Sequence, residues 1–129
     1  MSDFKPKGFS TVSPYLVSHN PAASIEFMEK VLGAELIDKQ VDQTTSRIIH
    51  ASLSIQDSVI MIGGAMEGWP ERPAHVHVYV REVDQSFADA IAAGATPVQD
   101  PVKQPGDDDK RGGVLDAGGT TWWLSTHSG

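Results

Sequence analysis

PYLVSHNPAASIEFMEKVLGAEL, residues Pro14 to Leu36, sets out in order a strand, a helix cap, a helix, a helix stop and the start of a second strand. The segment Thr11 to Ser18 (TVSPYLVS) is rich in β-forming residues, and Asn20-Pro21 offers a capping side chain followed by proline at the first helical position. From Pro21 to Leu32 the apolar residues Ile25, Met28, Val31 and Leu32 share one helical face, and Gly33 stands where a left-handed C-cap belongs. Strands are then expected at Ala34 to Val41, Arg47 to Ile55 and Ser58 to Gly63. In RIIHASLSI, period two puts Ile49, Ala51, Leu53 and Ile55 on an apolar face and Ile48, His50, Ser52 and Ser54 on a wetter one.

The same plan then repeats. GGAMEGWPERP, Gly63 to Pro73, mixes glycine, proline and charge and reads as a linker, within which Trp69 and Met66 can pack locally. A strand is expected at Ala74 to Arg81, a helix capped by Asp84 and running to about Ala93, Gly94 as its stop, then extended segments. Ser24-Ile25-Glu26-Phe27 ending at Gly33-Ala34 parallels Ser86-Phe87-Ala88-Asp89 ending at Gly94-Ala95. Each half is therefore β-α-β-β-β, and a half alone leaves a sheet face uncovered, so two should pair to bury or enclose it. The expected organisation is one domain over residues 9–129, with module one at about 9–63, a linker at 64–73, module two at about 74–127, and residues 1–8 a loose end.

The bulk numbers limit the partners. At 129 residues and 40% hydrophobic the chain has the size and composition of one globular domain. Seventeen acidic against ten basic residues give a formal charge of -7, a field that repels phosphate backbones and anionic lipid, so neither nucleic acid nor membrane is an expected partner. The chain has no cysteine, which removes thiolate ligands and cysteine nucleophiles and leaves any transition-metal binding to His, Asp and Glu. No apolar run approaches the ~20 residues that span a bilayer, and the first residues lack the apolar core of a signal peptide, so a soluble cytoplasmic protein is expected.

Four stretches, PYLVSHNPAASIEFMEKVLGAEL, HASLSIQDSVIMIGG, HVHVYVREVDQSFADAIAAGATPVQDP and RGGVLDAGGTTWWLSTH, together resemble the vicinal oxygen chelate superfamily of glyoxalases, bleomycin-resistance proteins and extradiol dioxygenases, and within it the small PhnB-like branch. The likeness runs from about Thr11 to His127. It implies an α+β fold in which two βαβββ modules form a curled mixed sheet around a cavity, usually in a homodimer. It also implies, for metal-dependent members, four ligands from the first and last strands of the two modules. Carried over by position, these fall on Ser13, Met61, His75 and Trp123. Only the imidazole suits a divalent ion: a hydroxyl and a thioether are poor ligands, and the indole N–H offers no lone pair. No metal and no cofactor is therefore expected.

AHVHVYV, Ala74 to Val80, poses the functional question. Alternation puts His75, His77 and Tyr79 on one face, which the resemblance makes the concave one, with the valines packed on the helix side. By the same parity Tyr15 accompanies Ser13, Val59 accompanies Met61, His50 and Ser52 join from the first module, Trp123 faces the cavity, and Trp122 and Leu124 face the helices. The histidines have three readings: a displaced metal site from His50, His75 and His77, a pocket wall offering hydrogen bonds to an organic ligand, or side chains that satisfy one another in a filled barrel. The assigned inward positions hold no Asp or Glu, which leaves a two-His-one-carboxylate iron site and a carboxylate base without their key part. PGDDDKRGG, Pro105 to Gly113, reads as a solvated loop in which Arg111 forms a surface salt bridge, while the PhnB-like resemblance implies a loop from which Arg111 reaches over the cavity mouth toward an anionic ligand. Trp123 reads equally as core and as a stacking surface for a planar ligand. The leading expectation is metal-independent binding of a small organic molecule by Ser13, Tyr15, His50, Met61, His75, His77, Tyr79, Arg111 and Trp123. The alternative is a divalent-metal lyase, isomerase or dioxygenase using His75 and His77. Whether the protein is an enzyme, and what its ligand is, stay open at this stage.

Overall fold

The computed structural model describes residues 4–128. The element order is β1 (Tyr15–Ser18), α1 (Pro21–Leu32), β2 (Glu35–Val41), β3 (Ile48–Ile55), β4 (Ser58–Gly64), β5 (Ala74–Tyr79), α2 (Val83–Ala92), β6 (Thr96–Lys103), β7 (Asp109–Leu115) and β8 (Thr120–His127). This is the α+β class with two βαβββ modules. Its strands form two four-stranded mixed sheets, ordered β1-β4-β3-β2 and β5-β8-β7-β6, in which the first strand of each module pairs parallel with the last.

Local chemistry explains the first helix. Asn20 Oδ1 accepts from the Ala23 N–H at 3.2 Å, Pro21 opens the helix, and Gly33 closes it at φ +66°. The second helix differs from expectation: Glu82 is its N-cap and makes no side-chain capping bond, while Asp84 lies inside the first turn and accepts from Lys110 Nζ at 2.8 Å. Two strands also differ. Strand β1 begins at Tyr15 rather than Thr11 because Pro14 has no N–H to give a ladder, although its carbonyl still accepts from the Met61 N–H at 2.9 Å. Strand β7 begins at Asp109, so Asp109 to Gly113 belong to a sheet and not to a loop. Of the expected loose end at residues 1–8, residues 1–3 lie outside the described residues, and residues 4–8 carry no helix or strand.

One core serves both modules. Leu16, Phe27, Met28, Leu53 and Ile62 of the first cluster with Val83, Ala90, Val114, Trp122 and Leu124 of the second. Helix α1 packs on α2, and the Phe27 ring lies 5.7 Å from that of the fully buried Trp122. A buried polar knot fastens the same seam. Asp116, 3% exposed, accepts from the N–H groups of Gly118 (2.8 Å) and Thr120 (3.1 Å), from Trp122 Nε1 (2.9 Å) and, across the modules, from Ser24 Oγ (3.3 Å). Ser18 Oγ donates to the Gly118 carbonyl at 2.8 Å. With the apolar side of each sheet committed to this shared core, the opposite, polar side of each sheet is turned outward.

Candidate functional site

The polar faces carry the residues singled out above, sorted into two groups. On the first sheet, β1 and β4 run side by side with Tyr15 opposite Met61, while Ser52 faces Met61 and His50 faces Gly63 across β3 and β4. Tyr15 lies across Gly63, where an added Cβ would sit 2.7 Å from the phenol oxygen, and its hydroxyl reaches His50 Nδ1 at 3.2 Å on the strand beyond. The two rings are 5.6 Å apart. The other imidazole nitrogen meets Ser52 Oγ at 3.1 Å, with Asp38 Oδ1 at 3.7 Å. Ser13 precedes this strand, and its Oγ is buried without a hydrogen-bond partner.

The second sheet repeats the device. Trp123 of β8 lies over Gly113 of β7, where a Cβ would come within 2.6 Å of Cζ3, and its Nε1–H donates to His75 Nδ1 at 3.0 Å on β5. In each module, then, an aromatic ring rests on a glycine of the neighbouring strand and is tied to a histidine. Beyond it runs a second network. Arg111 Nε donates to the fully buried Ser125 Oγ at 2.9 Å, and His77 Nε2 lies 2.9 Å from the same oxygen. Arg111 also pairs with Asp107 at 2.9 Å and Asp109 at 3.3 Å. Asp109, 7% exposed, accepts from Tyr79 Oη at 2.8 Å and meets His127 Nδ1 at 2.7 Å.

Electrostatics sort the roles. Burial, then the Arg111 charge, push the His77 imidazole below its ordinary range and favour its neutral form. The hydrogen bonds from His127 and Tyr79 hold the Asp109 carboxyl below the usual carboxylate range, and the Asp109 backbone N–H followed by Arg111 does the same for Asp107. The bond to Asp109 raises the Tyr79 phenol above its ordinary value. Arg111 is thus neutralised by two carboxylates, the salt-bridge reading of the loop, and it holds Ser125 and His77 in place.

Several placements differ from expectation. The nine residues are divided between the two sheets and their flanks: Ser13, Tyr15, His50 and Met61 belong to the first module, and His75, His77, Tyr79, Arg111 and Trp123 to the second. Tyr15 is 46% and Tyr79 62% exposed. His50 lies on a different sheet from His75 and His77, so the three imidazoles are not brought together. Carboxylates do occupy these faces. Asp38 and Asp109 share them with His50 and Tyr79, and both were hidden in the sequence, one behind the irregular register between Leu36 and Asp38, the other in a segment read as loop.

The donor set does not fit the family's metal. Cross-strand pairing puts Tyr15 opposite Met61 and His77 opposite Trp123, so even a register shifted by two from the carried-over positions presents a phenol, a thioether, an imidazole and an indole. Among the described residues no three His, Asp or Glu side chains are grouped to hold a metal ion. Among the same residues no helix is long and apolar enough to cross a membrane.

Comparison with known proteins places this architecture. An uncharacterised protein of Mycobacterium bovis is 31% identical over 98 residues, which cover 67% of this chain and 64% of that one; a Mycobacterium tuberculosis counterpart is 31% identical over 98 residues and 57% of its length is covered. The match thus spans less than two thirds of these curated relatives. Among solved structures, TioX from Micromonospora sp. ML1 superposes with a TM-score of 0.75 at 25% identity, covering 92% of this chain and 98% of TioX. A Bacillus cereus PhnB protein, described as a putative 3-demethylubiquinone-9 3-methyltransferase, superposes at 0.70 with 15% identity, covering 91% and 99%, and supports the fold alone. The family model for the Glyoxalase/Bleomycin resistance protein/Dioxygenase superfamily matches residues 11–124, and with the two βαβββ modules in place the chain belongs to that superfamily.

Proposed function

We propose that this protein binds a small organic molecule, without a metal, on the outward polar faces of its two sheets, and that two copies pair to enclose the ligand between them. The observation that carries the reading is the repeated device of Tyr15 over Gly63 and Trp123 over Gly113, each tied to a histidine and each turned away from the shared core. Aromatic faces ringed by imidazole and hydroxyl groups suit an organic ligand with apolar surface and a few polar atoms. The carried-over metal positions hold side chains that bind divalent ions poorly, which supports metal independence.

Elemental analysis of protein purified without chelator or affinity tag tests this together with a fluorescence titration. The reading expects substoichiometric zinc, nickel, iron and manganese, and saturable quenching of tryptophan emission by planar aromatic compounds with a matching rise in melting temperature. Stoichiometric metal that disappears in His75→Ala would overturn it in favour of a metal-dependent lyase, isomerase or dioxygenase.

A further inference from the structure

Trp123 decides the chemistry of His75. An indole N–H has no lone pair and only donates, so at 3.0 Å from His75 Nδ1 it requires that nitrogen to be the bare acceptor. A neutral imidazole has one N–H, which must then lie on Nε2. The same bond fixes the geometry. The indole N–H and the imidazole lone pair lie in their own ring planes, and the planes are 10° apart with centroids at 6.2 Å. Rings joined in this way sit side by side, not one above the other. Trp123 and His75 form a single flat plate across β5, β8 and β7, floored at its indole end by Gly113. His75 is exposed at the other end.

Resting on the small-molecule reading above, we infer that this plate selects a flat aromatic ligand that carries a hydrogen-bond acceptor, a carbonyl for choice, on a short arm. The ring covers the plate, and the arm bends over its rim to accept from His75 Nε2–H. The bond lies in the plane of the plate, so an acceptor built into the stacked ring itself does not reach it. A ligand whose arm only donates finds an N–H facing an N–H. This preference runs against the overall field, since a chain of net charge -7 favours a cationic arm.

Two measurements on the intact protein test it in mildly alkaline buffer. A long-range proton–nitrogen spectrum of histidine-labelled protein should place the His75 proton on Nε2 alone, and Trp123→Phe should let the minor Nδ1–H form of a free imidazole appear. Calorimetric titration should show naphthylacetamide, with its carbonyl, binding about tenfold more tightly than naphthylmethylammonium, roughly the worth of one hydrogen bond. His75→Phe, which keeps a flat ring and removes the N–H, should abolish the preference for the amide and leave the ammonium bound at least as tightly, as the net charge favours. A proton found on Nδ1 overturns the inference whatever binds. Equal binding of both probes to wild-type protein, lost in Trp123→Ala, also overturns it while leaving the small-molecule reading intact. Failure of both probes to bind wild-type protein overturns the inference and counts against that reading as well.

Discussion

Gly63 and Gly113 act through the side chain they lack. Each is the floor beneath an aromatic ring, and a methyl group at Gly113 would meet the Trp123 ring at 2.6 Å. Gly113→Ala should therefore lift the indole, break its bond to His75 and cost about 1–3 kcal/mol in chemical denaturation, with a red shift in tryptophan emission. An unchanged spectrum would mean that the ring has room to spare. The carboxylates and His77 make a second prediction at this scale. Asp109 and Asp107 are held below the ordinary carboxylate pKa of about 3.9, so the unfolded chain binds protons that the native state refuses. Their stabilisation is present above that value and is lost as pH falls through their lower native values. His77, depressed by burial and Arg111, works in the same direction at higher pH: stability starts to fall as pH drops through the ordinary imidazole value of about 6.5. The melting temperature should thus rise with pH across the acid range, with Asp109→Asn flattening the lower step and His77→Gln the upper. A melting temperature that climbs on acidification would contradict both assignments.

At the scale of elements, the turn between β7 and β8 fastens the two modules. A methyl group at Gly118 would collide with the hydroxyls of Ser24 and Ser18 and stand 2.9 Å from the Asn20 carbonyl, so no single side-chain rotation makes room for it. Gly118→Ala should destabilise the fold by at least ~2 kcal/mol, and Asp116→Ala, which strands four donors in the same buried knot, by a similar amount or more. A loss under about 0.5 kcal/mol in either would show that the knot is not what holds α1 to β8. Helix α1 was legible in the sequence because its cap, its stripe and its stop agree. Strand parity was equally legible for β5 and β8, where Trp122 and Trp123 took opposite faces as alternation requires, but in β3 the register shift between Gln40 and Val41 reverses the expectation at its start: Ile48 packs against the core and Ile49 is 40% exposed. What escaped was set by register and tertiary pairing. Asp38 joins His50 only because β2 slips in register beside it, and Asp109 enters a strand only because β8 runs on to His127 to pair with it. Alternation in Asp109, Arg111 and Gly113 was the available signal, masked by the turn-like run of aspartates before it.

For the whole molecule, the consequence of the shared core is that it takes the apolar side of each sheet and divides the polar residues between two faces. The sequence makes the faces readable but not their separation, because parity assigns a side chain to one side of its own sheet and is silent on how two sheets meet. A second copy that brings the first face of one chain to the second face of its partner would cover Tyr15, Tyr79 and the His75–Trp123 plate together. Light scattering at micromolar concentration should accordingly give twice the 13.9 kDa chain mass, and a monomer across the accessible range would remove the paired arrangement. The central claim is that these faces bind an organic ligand and need no metal to do so. It is tested most directly by calorimetric titration of chelator-treated protein with naphthylacetamide. Saturable binding that survives metal removal and is abolished by Trp123→Ala is the predicted result; binding that returns only when a divalent ion is added back, or that ignores the loss of Trp123, would contradict it.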